Sequence, residues 1–197
     1  MGRQFCILRR ACPPQRKPPV PAVGAPNACA MTSRKERFSY FWSHREGRPF
    51  AECSQFYARP IALEGHVFTT TEQWMHYRKA RLFGDPATAE ALLAESDPMK
   101  QKALGRAVAG FARETWQAVA RDVVFRGNVA KFSQHDDLRE RMRASAGTTL
   151  VEASPADTLW GIGLAADDPR AFARASWLGT NWLGEILTEV RIALCGA

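Results

Sequence analysis

No apolar run in this chain approaches the roughly 20 residues that a membrane-spanning helix requires, and no membrane partner is expected. The stretch Phe5-Cys6-Ile7-Leu8 is too short for the hydrophobic centre of a signal peptide. No Cys-x-x-Cys pair occurs, and the five cysteines (Cys6, Cys12, Cys29, Cys53 and Cys195) are odd in number and irregularly spaced. That excludes a disulfide framework or a zinc knuckle and points to a reducing, cytoplasmic setting. His44, His66, His76 and His135 stand at no ligand spacing from one another or from a cysteine, so neither a metal nor any other cofactor is expected. The segment GNVAKF lacks the Gly-Lys-Ser/Thr ending of a phosphate loop. Gly161-Ile162-Gly163 lacks the strand–turn–helix frame of a dinucleotide site. No internal repeat and no second-domain linker is visible.

Acidic residues are missing from positions 1–30, which hold Arg3, Arg9, Arg10, Arg16, Lys17 and six of the twelve prolines. This stretch has no periodicity and is expected to be a disordered extension. It reads as an upstream extension with Met31 as the true start, as a flexible tail, or as an Arg-rich transit peptide. It also supplies most of the formal net charge of +7. The other 22 of the 27 Lys and Arg residues face 20 acids, so the domain expected over 31–197 is almost neutral. A broad nucleic-acid footprint is thereby excluded, leaving room only for local contact with a modified nucleic acid.

What is present is an ordinary globular composition, 46% hydrophobic and 24% charged, with six tryptophans and eleven phenylalanines. The segments FSYFW, SQFYARPI and HVFTT read as strands, with turns at Glu46-Gly47 and Glu64-Gly65. Helices dominate from Glu72 onward. Asp85-Pro86 and Asp97-Pro98 are N-cap and first-turn signals, and FARETWQAVARDVVFRGNVAKF and DDLRERMRASA carry helical periodicity. TTLVEAS is a short strand, PADTLWGIGLAADDP a loop, and NWLGEILTEVRIAL a closing helix. The class is α+β, predominantly helical, in a single domain with a few short strands.

The helix starting near Thr70 or Thr71 and ending at Gly84 carries the chemistry. Positions 72, 75, 76 and 79 form one stripe. Glu72 and Lys79 are two turns apart, roughly 10 Å along the axis, and lysine side chains lean back toward the N-terminus. Both groups can therefore enter one pocket walled by Met75 and His76. Helix grammar offers a plainer account, because a first-turn glutamate and a last-turn lysine both suit the helix dipole.

Four blocks extend this picture: SQFYARPIALEGHVFTTTEQWMHYRKARLF; LGR with ETWQAVARDVVFRGNVAKF; VEASPADTLWGIG; and LGTNWLGEILTEVR. In this order they resemble the NADAR family, also called YbiA-like, over about residues 38–194. One departure is Ser54-Gln55-Phe56, where the family often has Ser-Asn-Phe. The resemblance implies an enzyme that hydrolyses an N-glycosidic bond. Its implied substrates are ribosylaminopyrimidine phosphates of early riboflavin synthesis or, alternatively, ADP-ribosylated guanine. A non-catalytic module that binds ADP-ribose or NAD is a further alternative. The resemblance also places Glu72, Lys79, Trp116 and Asp157 on functional positions. Cleaving such a bond requires protonation of the leaving nitrogen and tolerance of charge at the anomeric carbon. A neutral lysine can meet the second need by forming an imine with the sugar. Lys79 is the candidate amine, Glu72 and Asp157 the proton carriers, and Trp116 the stacking wall. Trp160 is either an anchor or a platform. Arg48, Arg106, Arg121, Asn128 and Lys131 are candidate donors to a sugar phosphate, and Asn181 is a further candidate that can instead cap the last helix.

Overall fold

The computed structural model describes residues 36–196. The disorder expected for 1–30 lies outside the described residues. Within them the fold is α+β with helix in excess, as the periodicities predict.

Two short two-stranded sheets frame the helices. Strand β1 (Phe38–Phe41) pairs in parallel with β4 (Thr149–Glu152), with Phe38 opposite Thr149 and Phe41 opposite Glu152. Parallel pairing needs a long crossover, and here the crossover carries the remaining strands and five of the helices. Strands β2 (Ile61–Leu63) and β3 (His66–Phe68) form a hairpin. Its two loop residues, Glu64 and Gly65, have φ of 49° and 78°. Both values are left-handed, as the tight turn between twisted strands demands. The segment SQFYARPI forms a strand only at its end, because Gln55–Pro60 wraps over the start of the first helix instead.

That helix, α1 (Thr71–Leu82), packs against α2 (Pro86–Ala94), α3 (Pro98–Arg106) and α4 (Arg113–Gln134). Thr70 is its N-cap and accepts the Gln73 N–H at 3.0 Å. Gly84, with φ of 67°, follows the last turn in the left-handed conformation that closes many helices. Asp85 and Asp97 cap α2 and α3 with proline at the first helical position, as the sequence predicts. Helices α5 (Asp136–Arg143) and α6 (Trp182–Cys195) complete the layer.

The main core runs from Phe68 and Trp74 through Val123, Val124 and Phe132 to Leu150, Leu187 and Val190. Burying each large apolar side chain of this kind contributes about 1.5–3 kcal/mol. Val151 turns the other way, into a smaller cluster with Ile162, Leu164 and Ala171. The period of two along β4 therefore puts Leu150 and Glu152 on the main-core face. A glutamate is thus delivered to the interior at the end of a parallel strand pair. No helix of the described residues is long and apolar enough to cross a membrane.

Candidate active site

Helix α1 is buried nearly all round although it is rich in polar residues. On one side these groups satisfy each other. The Gln73 amide donates to the carbonyls of Leu92 (2.6 Å) and Glu95 (2.9 Å) and accepts from the Thr69 N–H (2.6 Å). Gln101 accepts from the Thr70 hydroxyl at 2.8 Å and donates to the Glu95 carbonyl at 2.8 Å. This closed network locks the start of α1 to α2 and α3.

The stripe that carries Glu72, His76 and Lys79 differs. Glu72 Oε1 lies 2.9 Å from His76 Nε2, a buried pair at (i, i+4). His76 Nδ1 is buried with no partner. The Lys79 ammonium donates to the Gly105 carbonyl at 3.1 Å and sits 5.1 Å from the Phe111 ring centroid and 5.4 Å from that of Trp116. Burial pushes the Lys79 pKa down; Glu72 opposes that shift, and Arg106 adds to it. Gly105 belongs to the LGR block, and its α-carbon faces His76 so closely that a Cβ would come within 2.0 Å of Nδ1. Only glycine lets α3 approach both His76 and Lys79.

The loop after β4 brings Asp157. Its Oδ1 accepts the backbone N–H groups of Leu159 (2.9 Å) and Trp160 (2.8 Å), which fixes the side chain in a tight turn. Near both Asp157 and Glu72 is Glu152, whose carboxyl is enclosed although the residue keeps partial exposure. Burial, with Asp157 and then Glu72 as like charges beside it, pushes its pKa up to about 8, against a smaller opposing effect of Lys102. Glu72, the carboxylate that acts on Lys79, and Asp157 therefore both act on a third carboxyl that sequence reasoning missed. Phe111, 46% exposed and packed edge-on against Phe83, and Lys102, over the Phe56 ring at 5.4 Å, were missed as well. For Glu152 a signal existed in the alternation Leu150-Val151-Glu152 of a predicted strand. For Phe111 and Lys102 no local pattern marks them.

The other predicted residues are distributed as follows. Trp116 is buried, with its ring beside the Lys79 ammonium, and Arg106 is exposed at the end of α3. Arg48 is exposed in the loop after β1. Trp160 stands edge-on to Trp182 at 5.7 Å, and Arg121 covers the Trp182 ring and pairs with Glu189 at 3.1 Å. Three expected substrate contacts are fully buried and committed elsewhere. Asn128 donates to the Val124 carbonyl at 2.9 Å and accepts from the Gln55 amide at 3.3 Å. Lys131 donates to the Ser54 carbonyl at 2.9 Å, about 22 Å along α4 from Trp116 at 1.5 Å per residue. Asn181 is the N-cap residue of α6, but its side chain does not bond the helix; its amide bridges the Glu152 N–H and the Leu150 carbonyl, both at 3.0 Å. Asn181 thus holds the end of β4, and with it Glu152, in place.

A central helix carrying Glu72 and Lys79, and a capped Asp-x-x-Trp turn after a short parallel pair, define a helical α+β domain with a buried amine among carboxyls. A family model described as the NADAR domain matches residues 40–195, and the chain belongs to that family. It is 44% identical over 126 residues to protein irg-1 of Caenorhabditis elegans, covering 63% of this chain and only 59% of that protein. It is 40% identical over 124 residues to an N-glycosidase of Acanthamoeba polyphaga mimivirus, covering 63% of this chain and 73% of the relative. Against N-glycosidase YbiA of Escherichia coli the identity is 32% over 142 residues, 72% of this chain and 80% of the relative. The NMR structure of the E. coli YbiA protein superposes with a TM-score of 0.66 at 29% identity, covering 82% of this chain and 86% of that one.

Proposed function

We infer that this chain is a hydrolase of N-glycosyl bonds, and we propose that it splits ribosylaminopyrimidine phosphates into base and ribose 5-phosphate. The observation that carries the reading is the Lys79 amine, enclosed by Phe111 and Trp116 beside Glu72, with burial lowering its pKa. A neutral amine in that setting is a nucleophile. A glycosylamine opens to an imine, Lys79 adds to the anomeric carbon, and the base departs as its amine. Water then hydrolyses the lysine imine and frees the sugar. Glu72, fixed by His76, and Asp157, fixed by two backbone amides, are suited to move protons. The exposed Phe111 ring offers a face for a flat base beside Lys79.

The test is base release followed by liquid chromatography and mass spectrometry on two substrates. We expect release from a freshly made ribosylaminopyrimidine phosphate. Release only from ADP-ribosylated guanosine would replace that substrate with the guanine adduct and keep the chemistry. Silence from both, with retained binding of ADP-ribose, would overturn the hydrolase reading in favour of a binding module.

A further inference from the structure

Glu72 in the first turn of α1, Glu152 at the end of β4 and Asp157 in the following loop lie close enough for the first and last to act as like charges on Glu152, and the three are not equivalent. Glu72 has His76 Nε2 at 2.9 Å. Asp157 has two backbone N–H donors within 2.9 Å. Glu152 Oε2 is buried with no partner at all. Its backbone N–H is held by the Asn181 side chain at 3.0 Å, which fixes the point from which the side chain springs. An unpartnered carboxylate oxygen buried next to two other acids is costly, whereas a carboxylic acid at the same point is tolerated and can donate a hydrogen bond.

We propose that Glu152 is the proton donor of the reaction: it holds a proton in the resting site and passes it to the nitrogen of the departing base. This rests on the N-glycosidase reading above. The charged groups that face Glu152 are Glu72 from α1, Lys102 from α3 and Asp157 from the following loop, and the two acids outweigh the single lysine. As the C–N bond breaks, its electron pair stays on the departing nitrogen and the Glu152 proton joins it. The Lys79 nitrogen, bonded to the anomeric carbon, loses its hydrogens as the imine forms. One completes the amine of the departing base and the other restores the acid on Glu152. Water then adds to the imine; its oxygen goes to the sugar carbon and its two hydrogens return to the Lys79 amine.

The first arm of the test needs no substrate. In the free protein labelled with carboxyl-13C glutamate, the Glu152 resonance, assigned by its loss in Glu152→Gln, should titrate near pH 8. A midpoint in the ordinary glutamate range, about 4.3, would overturn the proposal. In the second arm Glu152→Gln, which keeps shape but has no proton to transfer, should lose about 10²–10⁴-fold in kcat with KM little changed. It should also lose the alkaline limb of the wild-type kcat profile. Formate should partly rescue Glu152→Ala, which a purely structural role would not permit. A Glu152→Gln enzyme within about threefold of wild type would contradict the donor role, since a lost proton donor costs far more. A wild-type protein that releases no base sinks the N-glycosidase reading and the donor role with it. The free-protein titration then decides separately whether Glu152 holds the proton.

Discussion

Two lysines among the described residues are buried, and they teach opposite lessons. Lys131 is wholly enclosed; its ammonium is held by the Ser54 carbonyl and lies over the rings of Tyr57 and Phe132. Lys79 keeps 9% of its surface and faces an exposed phenylalanine, a glutamate and a glycine carbonyl. Burial lowers both pKa values, Lys131 to about 8. A depressed lysine pKa is therefore not itself a mark of catalysis. What separates the two is access. Lys79 lies beside a ring that solvent, and so a ligand, can reach, whereas Lys131 meets only its own protein.

Exchanging each lysine for alanine should break the comparison most sharply. Lys79→Ala should lower kcat by about 10³-fold or more, with a loss of stability smaller than that of Lys131→Ala, because it too orphans a carbonyl, that of Gly105, but at a site that keeps some exposure. Lys131→Ala should do the reverse: about 3 kcal/mol less stable by denaturant titration, from the cavity and the orphaned Ser54 carbonyl, with kcat within a few fold. Equal losses of activity would erase the distinction.

The pH dependence separates them next. The folded pKa of Lys131 lies below its unfolded value near 10.5. The unfolded chain therefore binds more protons between about pH 8 and 10.5, and stability rises with pH across that window. The stability tied to neutral Lys131 is lost as pH falls through about 8. Lys131→Met should flatten this slope by about 3 kcal/mol in total, measured by urea unfolding at a series of pH values. An unchanged slope would mean that Lys131 is not the group responsible.

A subtler change acts on Lys79 through its hydrogen-bond partner. Gly105→Ala places a methyl within 2.0 Å of His76 Nδ1. It should displace the His76–Glu72 pair and the carbonyl that holds Lys79, costing about 10²-fold in kcat in steady-state assays. The smallest effect should come from Phe111→Ala, which removes one of the two rings beside Lys79. KM should rise about tenfold with stability within about 0.5 kcal/mol, because the ring is not part of the core. A fall in kcat at constant KM would instead assign Phe111 to the chemistry.

Helix grammar made much of this legible. Caps at Thr70, Asp85 and Asp97 and the 72–75–76–79 stripe followed from local patterns, because a helix is decided by neighbours three and four residues apart. The plainer account, in which Glu72 and Lys79 only serve the helix dipole, leaves their burial unexplained. Glu152 was hidden because its role depends on β1 pairing with β4 more than 100 residues away, and two four-residue strands carry little periodic signal. Asn128 and Lys131 read as phosphate donors, and Asn181 as a substrate contact or helix cap, because a polar residue looks the same in sequence whether it meets solvent or a buried carbonyl. The block over 151–163 includes the loop that carries Asp157, yet the capping of Asp157 by its own backbone emerged only from the fold.

The most direct measurement is reduction of a working enzyme–substrate mixture with borohydride, followed by peptide mass spectrometry. A sugar phosphate joined through a secondary amine to Lys79, absent from Lys131 and every other lysine, is the predicted result. Rapid base release with no reducible adduct on Lys79 would contradict the imine mechanism and leave the buried amine a purely electrostatic part of the site.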